Sequence, residues 1–157
     1  MKTDTIFFNL SAVYAAAWVV FLACPAAAAA DSRQNTAAES KVFRDSRGAL
    51  AGTAYRSNNR TVYRDKKGRT VIVAKNNGNR TEYRDAAGKL LGSAQKTGSR
   101  TVYRDAAGRI VKTAQTVGSR TIYRDAAGRV VQSSQQTGKS TVFRDKNGKI
   151  SGTAQSR

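Results

Sequence analysis

The ionisable side chains that recur most regularly in this sequence are an arginine and an aspartate side by side, six times from Arg44–Asp45 to Arg144–Asp145. A carboxylate beside a guanidinium could assist acid–base catalysis or help to bind a ligand. The chain has no histidine, however, and its one cysteine, Cys24, lies in an apolar N-terminal stretch. A nucleophile with its base, or a cluster of metal ligands, is therefore not visible. We predict no enzyme, no cofactor and no metal site.

The basic residues indicate a different chemistry, the binding of polyanions. The 157 residues include 28 Lys and Arg against 10 Asp and Glu, a formal net charge of +18. Fixed cations at regular spacing attract DNA, lipopolysaccharide or acidic polysaccharide, and no base-reading element is visible. The alternative role is a solvated face that discourages aggregation of the sheet. The candidate polyanion-binding residues are Arg60, Arg64, Arg80, Arg84, Arg100, Arg104, Arg120, Arg124 and Arg144.

An internal repeat of 20 residues sets these positions, and six copies fill residues 41–157 without an insertion or a deletion. Each copy has one aromatic residue directly before its Arg–Asp pair. We expect these residues to supply most of the apolar core of the array. The alternative role is stacking on sugars or bases. The aromatics are Phe43, Tyr63, Tyr83, Tyr103, Tyr123 and Phe143. The structural turn glycines are Gly68, Gly88, Gly108, Gly128 and Gly148.

Each copy holds two short runs typical of β-strands, such as "SRTVYRD" and "RIVKTAQ". The "DAAG" between them predicts a three-residue hairpin loop, in which glycine takes a positive φ. The connection to the next copy, such as "QTVGS", repeats this chemistry, with Asn58 in place of glycine in the first copy.

With these turns, Tyr103 faces Val111 and Thr101 faces Thr113, and across the next turn Thr113 faces Thr121. Each residue type then stays in one row, so that Thr, Tyr, Val or Leu and the Asp–Arg pairs share one face. The arginine rows lie on the other face. This pattern predicts an all-β fold of six two-strand repeats that form an antiparallel hairpin meander. The alternative is a β-solenoid, which stacks like charges on one another.

The first 30 residues are predicted to be a signal peptide. "LSAVYAAAWVVFLAC" is apolar, Pro25 breaks it, and the alanines to Ala30 suit a cleavage site. A membrane anchor and lipidation at Cys24 are the alternatives. Residues 31–40 are predicted to be a flexible lead-in. We expect an exported protein of the periplasm, the outer surface or the extracellular space.

Two families resemble this array. "YRDAAGR" is similar to the YD repeats of bacterial Rhs-type shells, although there the Tyr directly precedes the Asp. The plan of two strands in a period near twenty, with recurring Gly, Ala and Gln, resembles the curlin-type amyloid repeats of exported proteins. These resemblances imply a structural or adhesive role in a biofilm matrix, or kinship with Rhs shells.

The terminal copies keep the full pattern. Strands of the two types represented by Lys41–Asp45 and Lys149–Gln155 are always neighbours inside the array, so the last strand of one molecule could also pair with the first strand of the next. A second copy of the chain is therefore an expected partner, through head-to-tail assembly that is opposed by the charge. Our first hypothesis for the function is an exported structural or adhesive repeat protein. The alternative is a monomeric polyanion-binding surface module, and in neither do we expect a small-molecule substrate.

Overall fold

The computed structural model describes residues 39–157, which form twelve antiparallel strands and no helix. Each strand pairs with the next along the chain, and β1 pairs with β12, so the meander closes into a barrel. The antiparallel meander is confirmed, and its closure was not foreseen. The strands are β1 (Glu39–Asp45), β2 (Leu50–Ser57), β3 (Arg60–Asp65), β4 (Thr70–Asn77), β5 (Arg80–Asp85), β6 (Leu90–Thr97), β7 (Arg100–Asp105), β8 (Ile110–Val117), β9 (Arg120–Asp125), β10 (Val130–Thr137), β11 (Ser140–Asp145) and β12 (Ile150–Ser156).

The turn within each copy is the three-residue loop that its residues predict. Asp105 N–H donates to the Arg109 carbonyl at 2.9 Å, and Gly108 N–H donates to the Asp105 carbonyl at 3.1 Å. The Asp105 carboxylate also accepts the backbone N–H of Arg109 at 2.9 Å. Gly108 has the positive φ, +83°, that the loop requires. We call this end of the barrel, where all six such loops lie, the Asp–Gly end.

The turn between copies differs from the prediction, because it has two residues instead of three. Val117 pairs with Arg120, which leaves only Gly118 and Ser119 in the loop. Gly118 has a φ of +56° and Ser119 is not in the left-handed region, as in a type II′ turn. Asn58 takes the glycine position in the first copy with a φ of 51°, as predicted. We call this opposite end of the barrel the two-residue-turn end.

A β-bulge in each copy makes the observed register differ from the predicted one. Arg104 pairs with Ile110 but Tyr103 pairs with Lys112, so Val111 is an extra residue without a partner. The predicted pairing of Tyr103 with Val111 is therefore wrong. Because the bulge moves the strand by one residue, Val111 lies outside the barrel, 40% exposed, and Lys112 takes the inward position beside the tyrosine.

The two-residue turn and the β-bulge together produce the stagger that closes the sheet. Two steps across the strands lead from Thr101 to Ala114 and then to Tyr123, not to the predicted Thr121. Each copy therefore advances the register by two residues, and six copies advance it by twelve, which equals the number of strands. A shear equal to the strand number tilts the strands by about 36° and gives a barrel roughly 22 Å across between backbones.

The core of the barrel is built from one aromatic ring per copy, with a small residue between neighbouring rings. Phe43 and Tyr83 are each only 1% exposed, and the ring centroids of Phe43 and Tyr63 lie 6.5 Å apart. The aromatic residues thus form most of the apolar core, as predicted from the sequence. The buried hydrophobic residues are Phe43, Ala54, Tyr63, Ile72, Ala74, Tyr83, Ala94, Tyr103, Ala114, Tyr123, Phe143 and Ala154.

The first and last strands pair within one molecule in the register of an internal pair. Phe43 faces Ala154 in the same way as Tyr63 faces Ala54, and Asp45 faces Gly152 as Asp65 faces Gly52. β1 begins at Glu39, two residues before the predicted start of the array. The predicted signal peptide and most of the predicted lead-in lie outside the described residues.

Candidate polyanion-binding wall and interior cavity

The outer wall of the barrel carries the predicted arginines. On β7, Thr101, Tyr103 and Asp105 point inward, so the alternation of the strand places Arg100 and Arg104 outside. Arginines four residues apart on one strand are separated by about 13 Å, and those of neighbouring copies by about 10 Å. All nine candidates are exposed: Arg60, Arg64, Arg80, Arg84, Arg100, Arg104, Arg120, Arg124 and Arg144.

The arginines near the Asp–Gly end also have a structural contact that the sequence did not suggest. Arg104 Nη1 donates a hydrogen bond to the Gly108 carbonyl at 2.9 Å, which ties the strand to its own turn. The same bond joins Arg44 to Gly48, Arg84 to Gly88, Arg124 to Gly128 and Arg144 to Gly148. One of the five guanidinium N–H donors is used, so the charge remains on the wall.

The acidic residues neutralise little of this wall. Residues 39–157 hold 26 Lys and Arg and eight Asp and Glu, so they carry the whole net charge of +18. Glu82 lies on the outer wall between Arg80 and Arg84, at 3.7 Å and 3.3 Å. Six of the other acids are the turn aspartates, whose carboxylates face the loops instead of the wall.

Hydrogen bonds hold two of the turn aspartates in their charged form. The backbone N–H of Arg129, followed by its guanidinium, holds the pKa of Asp125 below the ordinary value of 3.8. For Asp65, loss of solvent contact raises the pKa, but the hydrogen bonds from Arg69 outweigh that effect and lower it. Asp65 and Asp125 are therefore anionic parts of their turns.

The barrel interior contains one buried lysine, which the predicted register had placed opposite Val102. Lys112 is 9% exposed, and its Nζ lies 4.7 Å from the Tyr103 ring centroid and 5.3 Å from that of Tyr123. Other copies place Gly52, Ile72, Gly92, Gln132 or Gly152 at this position. The two electron-rich ring faces compensate part of the hydration that the ammonium loses.

A cavity of about 290 Å³ opens at the two-residue-turn end of the barrel. Its inner part is lined by aromatic and alanine side chains, including Tyr63, Tyr103 and Ala74. Nearer the solvent its lining is polar and charged, with threonines and asparagines beside Glu39, Lys41, Arg56 and Lys96. The sequence contained a signal for this site, because the repeat position that Arg56 occupies varies in residue type from copy to copy. The residues at this position are Arg56, Asn76, Lys96, Thr116, Gln136 and Ser156.

Among residues 39–157, no helix is long and apolar enough to cross a membrane. The comparison with protein-family models finds no match, and the comparison with curated proteins finds none either. The resemblances to curlin-type and YD repeats therefore stay expectations drawn from the sequence.

Proposed function

We propose that the barrel is a polyanion-binding surface module, which holds acidic polysaccharide, lipopolysaccharide or DNA against its outer wall. The observation that carries this proposal is the exposure of nine arginines in regular rows, with Glu82 as the one acid of the described residues within those rows. Cations in such rows bind a flexible anionic chain mainly by releasing its counterions, so recognition is blind to base sequence. The expected export would bring such a wall to polymers outside the cell.

The row at the two-residue-turn end offers the cleanest test, because its arginines lie away from the turns that Arg104 and its counterparts bind. Replacing Arg60, Arg80, Arg100 and Arg120 with Gln removes four charges from the wall. We expect weaker binding to heparin and to DNA. The slope of the logarithm of the binding constant against the logarithm of the salt concentration should fall in magnitude by about one for each arginine in contact.

The matched control removes four charges elsewhere, by replacing Lys66, Lys67, Lys146 and Lys149 at the Asp–Gly end with Gln. Both variants carry the same net charge, so they separate binding by the wall from attraction by total charge. Titrations across a series of salt concentrations provide the measurement. Equal losses in the two variants, or a binding constant indifferent to salt, would refute the proposal.

The second candidate function is a structural or adhesive protein that assembles head to tail. One observation favours it: the pairing of β1 with β12 has the register of an internal pair, so β1 would accept β12 of a second molecule equally well. Assembly then requires the ring to open, and screening of the charge by salt or heparin favours it. We expect monomers at low salt and β-rich filaments when the charge is screened. Sedimentation and electron microscopy test this, and a monomer under every condition excludes it.

A further inference from the structure

The cavity at the two-residue-turn end has a graded lining. Phe43 and Tyr103, which lie in its inner part, are 1% and 2% exposed, whereas Arg56 and Asn79 on its outer part are exposed. The cavity thus leads from solvent down to a base of largely buried aromatic side chains. Its volume of about 290 Å³ matches the lower end of small-molecule sites, about 300–1,000 Å³, which often occupy the mouths of β-barrels.

The charges of this cavity lie at its mouth. Lys41 and Glu39 form an ion pair at 3.3 Å, and Glu39 also faces Arg56 across β1 and β2. Lys96 faces Thr101 across β6 and β7. Three cations and one carboxylate leave the mouth positive, which suits one anionic group on a ligand.

Beside these charges the cavity offers neutral hydrogen-bonding groups. Thr61, Thr81 and Thr101 line it together with Asn76, and each can both donate and accept. The corresponding threonine of the next copy, Thr121, instead shares a hydrogen bond of 3.0 Å with Thr116. Gln136 and Ser156 of the last two copies also line the cavity, but Gln136 donates to the Gly138 carbonyl and Ser156 to Glu39, each at 3.3 Å.

We propose that this cavity binds a sugar acid, a single six-membered ring that bears hydroxyl groups and one carboxylate. The ligand lies above the inner part of the cavity, which Tyr63 and Tyr103 help to line; its hydroxyls bond to the threonine and asparagine side chains, and its carboxylate meets Arg56 and Lys96. The inference does not depend on polyanion binding by the outer wall, and it goes beyond the sequence, from which no small-molecule substrate was expected.

Calorimetric titration of the purified protein with glucuronate, glucose and benzoate tests the assignment. Glucose lacks the carboxylate and benzoate lacks the hydroxyls, so each should bind at least about tenfold more weakly than glucuronate. In NMR spectra, the ring signals of Tyr63 and Tyr103 should shift with glucuronate, while those of Tyr55, outside the barrel, should not. Absence of saturable glucuronate binding overturns the proposal, and tighter binding of benzoate overturns the choice of a sugar.

Variants that each remove one charge test whether the ligand binds at the mouth of the cavity. Arg56→Gln and Lys96→Gln should each weaken glucuronate binding about tenfold, whereas Arg100→Gln, which removes a charge from the outer wall at the same end, should leave it unchanged. Arg56 is exposed, so its substitution keeps the fold. Equal weakening by Arg56→Gln and Arg100→Gln would overturn the interior site. Heparin binding by the same variants reports on the wall separately, since Arg100→Gln should affect it more than Arg56→Gln.

Discussion

A disulfide between the first and last strands would test whether the barrel closes within one molecule. Val42 and Gln155 face each other across β1 and β12. Cross-strand partners have Cα atoms about 4.5–5.5 Å apart, inside the range of about 4.4–6.8 Å that a disulfide spans. We expect Val42→Cys with Gln155→Cys, in a chain that also carries Cys24→Ser, to form the bond under mild oxidation.

The size of the effect follows from the loop that the bond closes. The cross-link encloses residues 42–155, and the chain-entropy relation gives about 4.8 kcal/mol for a loop of roughly 110 residues. Because strain and residual structure reduce such gains, we expect about 2–4 kcal/mol. A domain of this size gains about 4 °C in melting temperature per kcal/mol, so the oxidised protein should melt about 8–16 °C above the reduced one.

Gel electrophoresis without reductant distinguishes closure from assembly, and circular dichroism gives the melting temperatures. Closure predicts a disulfide-bonded monomer, whereas pairing of β1 with β12 of another molecule predicts a ladder of linked chains. The control pairs Val42→Cys with Gln135→Cys on β10, which lies three strands from β1, about 14 Å away and beyond disulfide reach. A ladder at low protein concentration, or no disulfide at all, would refute the closed ring.

Three further predictions concern single residues. Gly108→Ala should cost about 1–2 kcal/mol in urea unfolding because its φ is +83°, and Gly108→Asn should cost less; equal costs would contradict this explanation. Gly92→Ala should destabilise by steric contact, since a Cβ there meets the Arg104 carbonyl oxygen, and a neutral result would show that β6 can move away. Because the folded pKa of Asp125 is lowered from 3.8, its stabilisation is present above about pH 4 and is lost as the pH falls through the folded pKa. Asp125→Asn should therefore flatten the fall of stability in acid, and an identical acid profile would contradict it.

The repeat and its turn within each copy could be predicted because both depend on local chemistry. Asp105 and Gly108 define a loop by their own hydrogen bonds and φ, whatever the rest of the chain does. The antiparallel order followed from the short connections. The outward position of the arginines also followed, since it needs only the alternation of residues along one strand.

The closure of the barrel and its cavity could not be predicted, because they depend on register. With the predicted loops Thr101 and Thr121 lay in one row, so the sheet had no stagger, and a sheet without stagger cannot close with tilted strands. The bulge at Val111 and the two-residue turn at Gly118 each move the register by a small step. Bulges lack a distinctive residue signature when, as here, alanine, valine, leucine or serine occupies them in different copies.

The stagger of two residues per copy has a consequence for the number of copies. Adding or removing one 20-residue unit changes the strand number and the shear by the same amount, so every strand keeps its tilt and its neighbours. A chain of five units would close at about 18 Å across and one of seven at about 26 Å. Duplication of a unit would therefore widen the interior, and loss of a unit would narrow it, in discrete steps and without redesign of a single turn. The count of repeats would then determine which molecules fit inside.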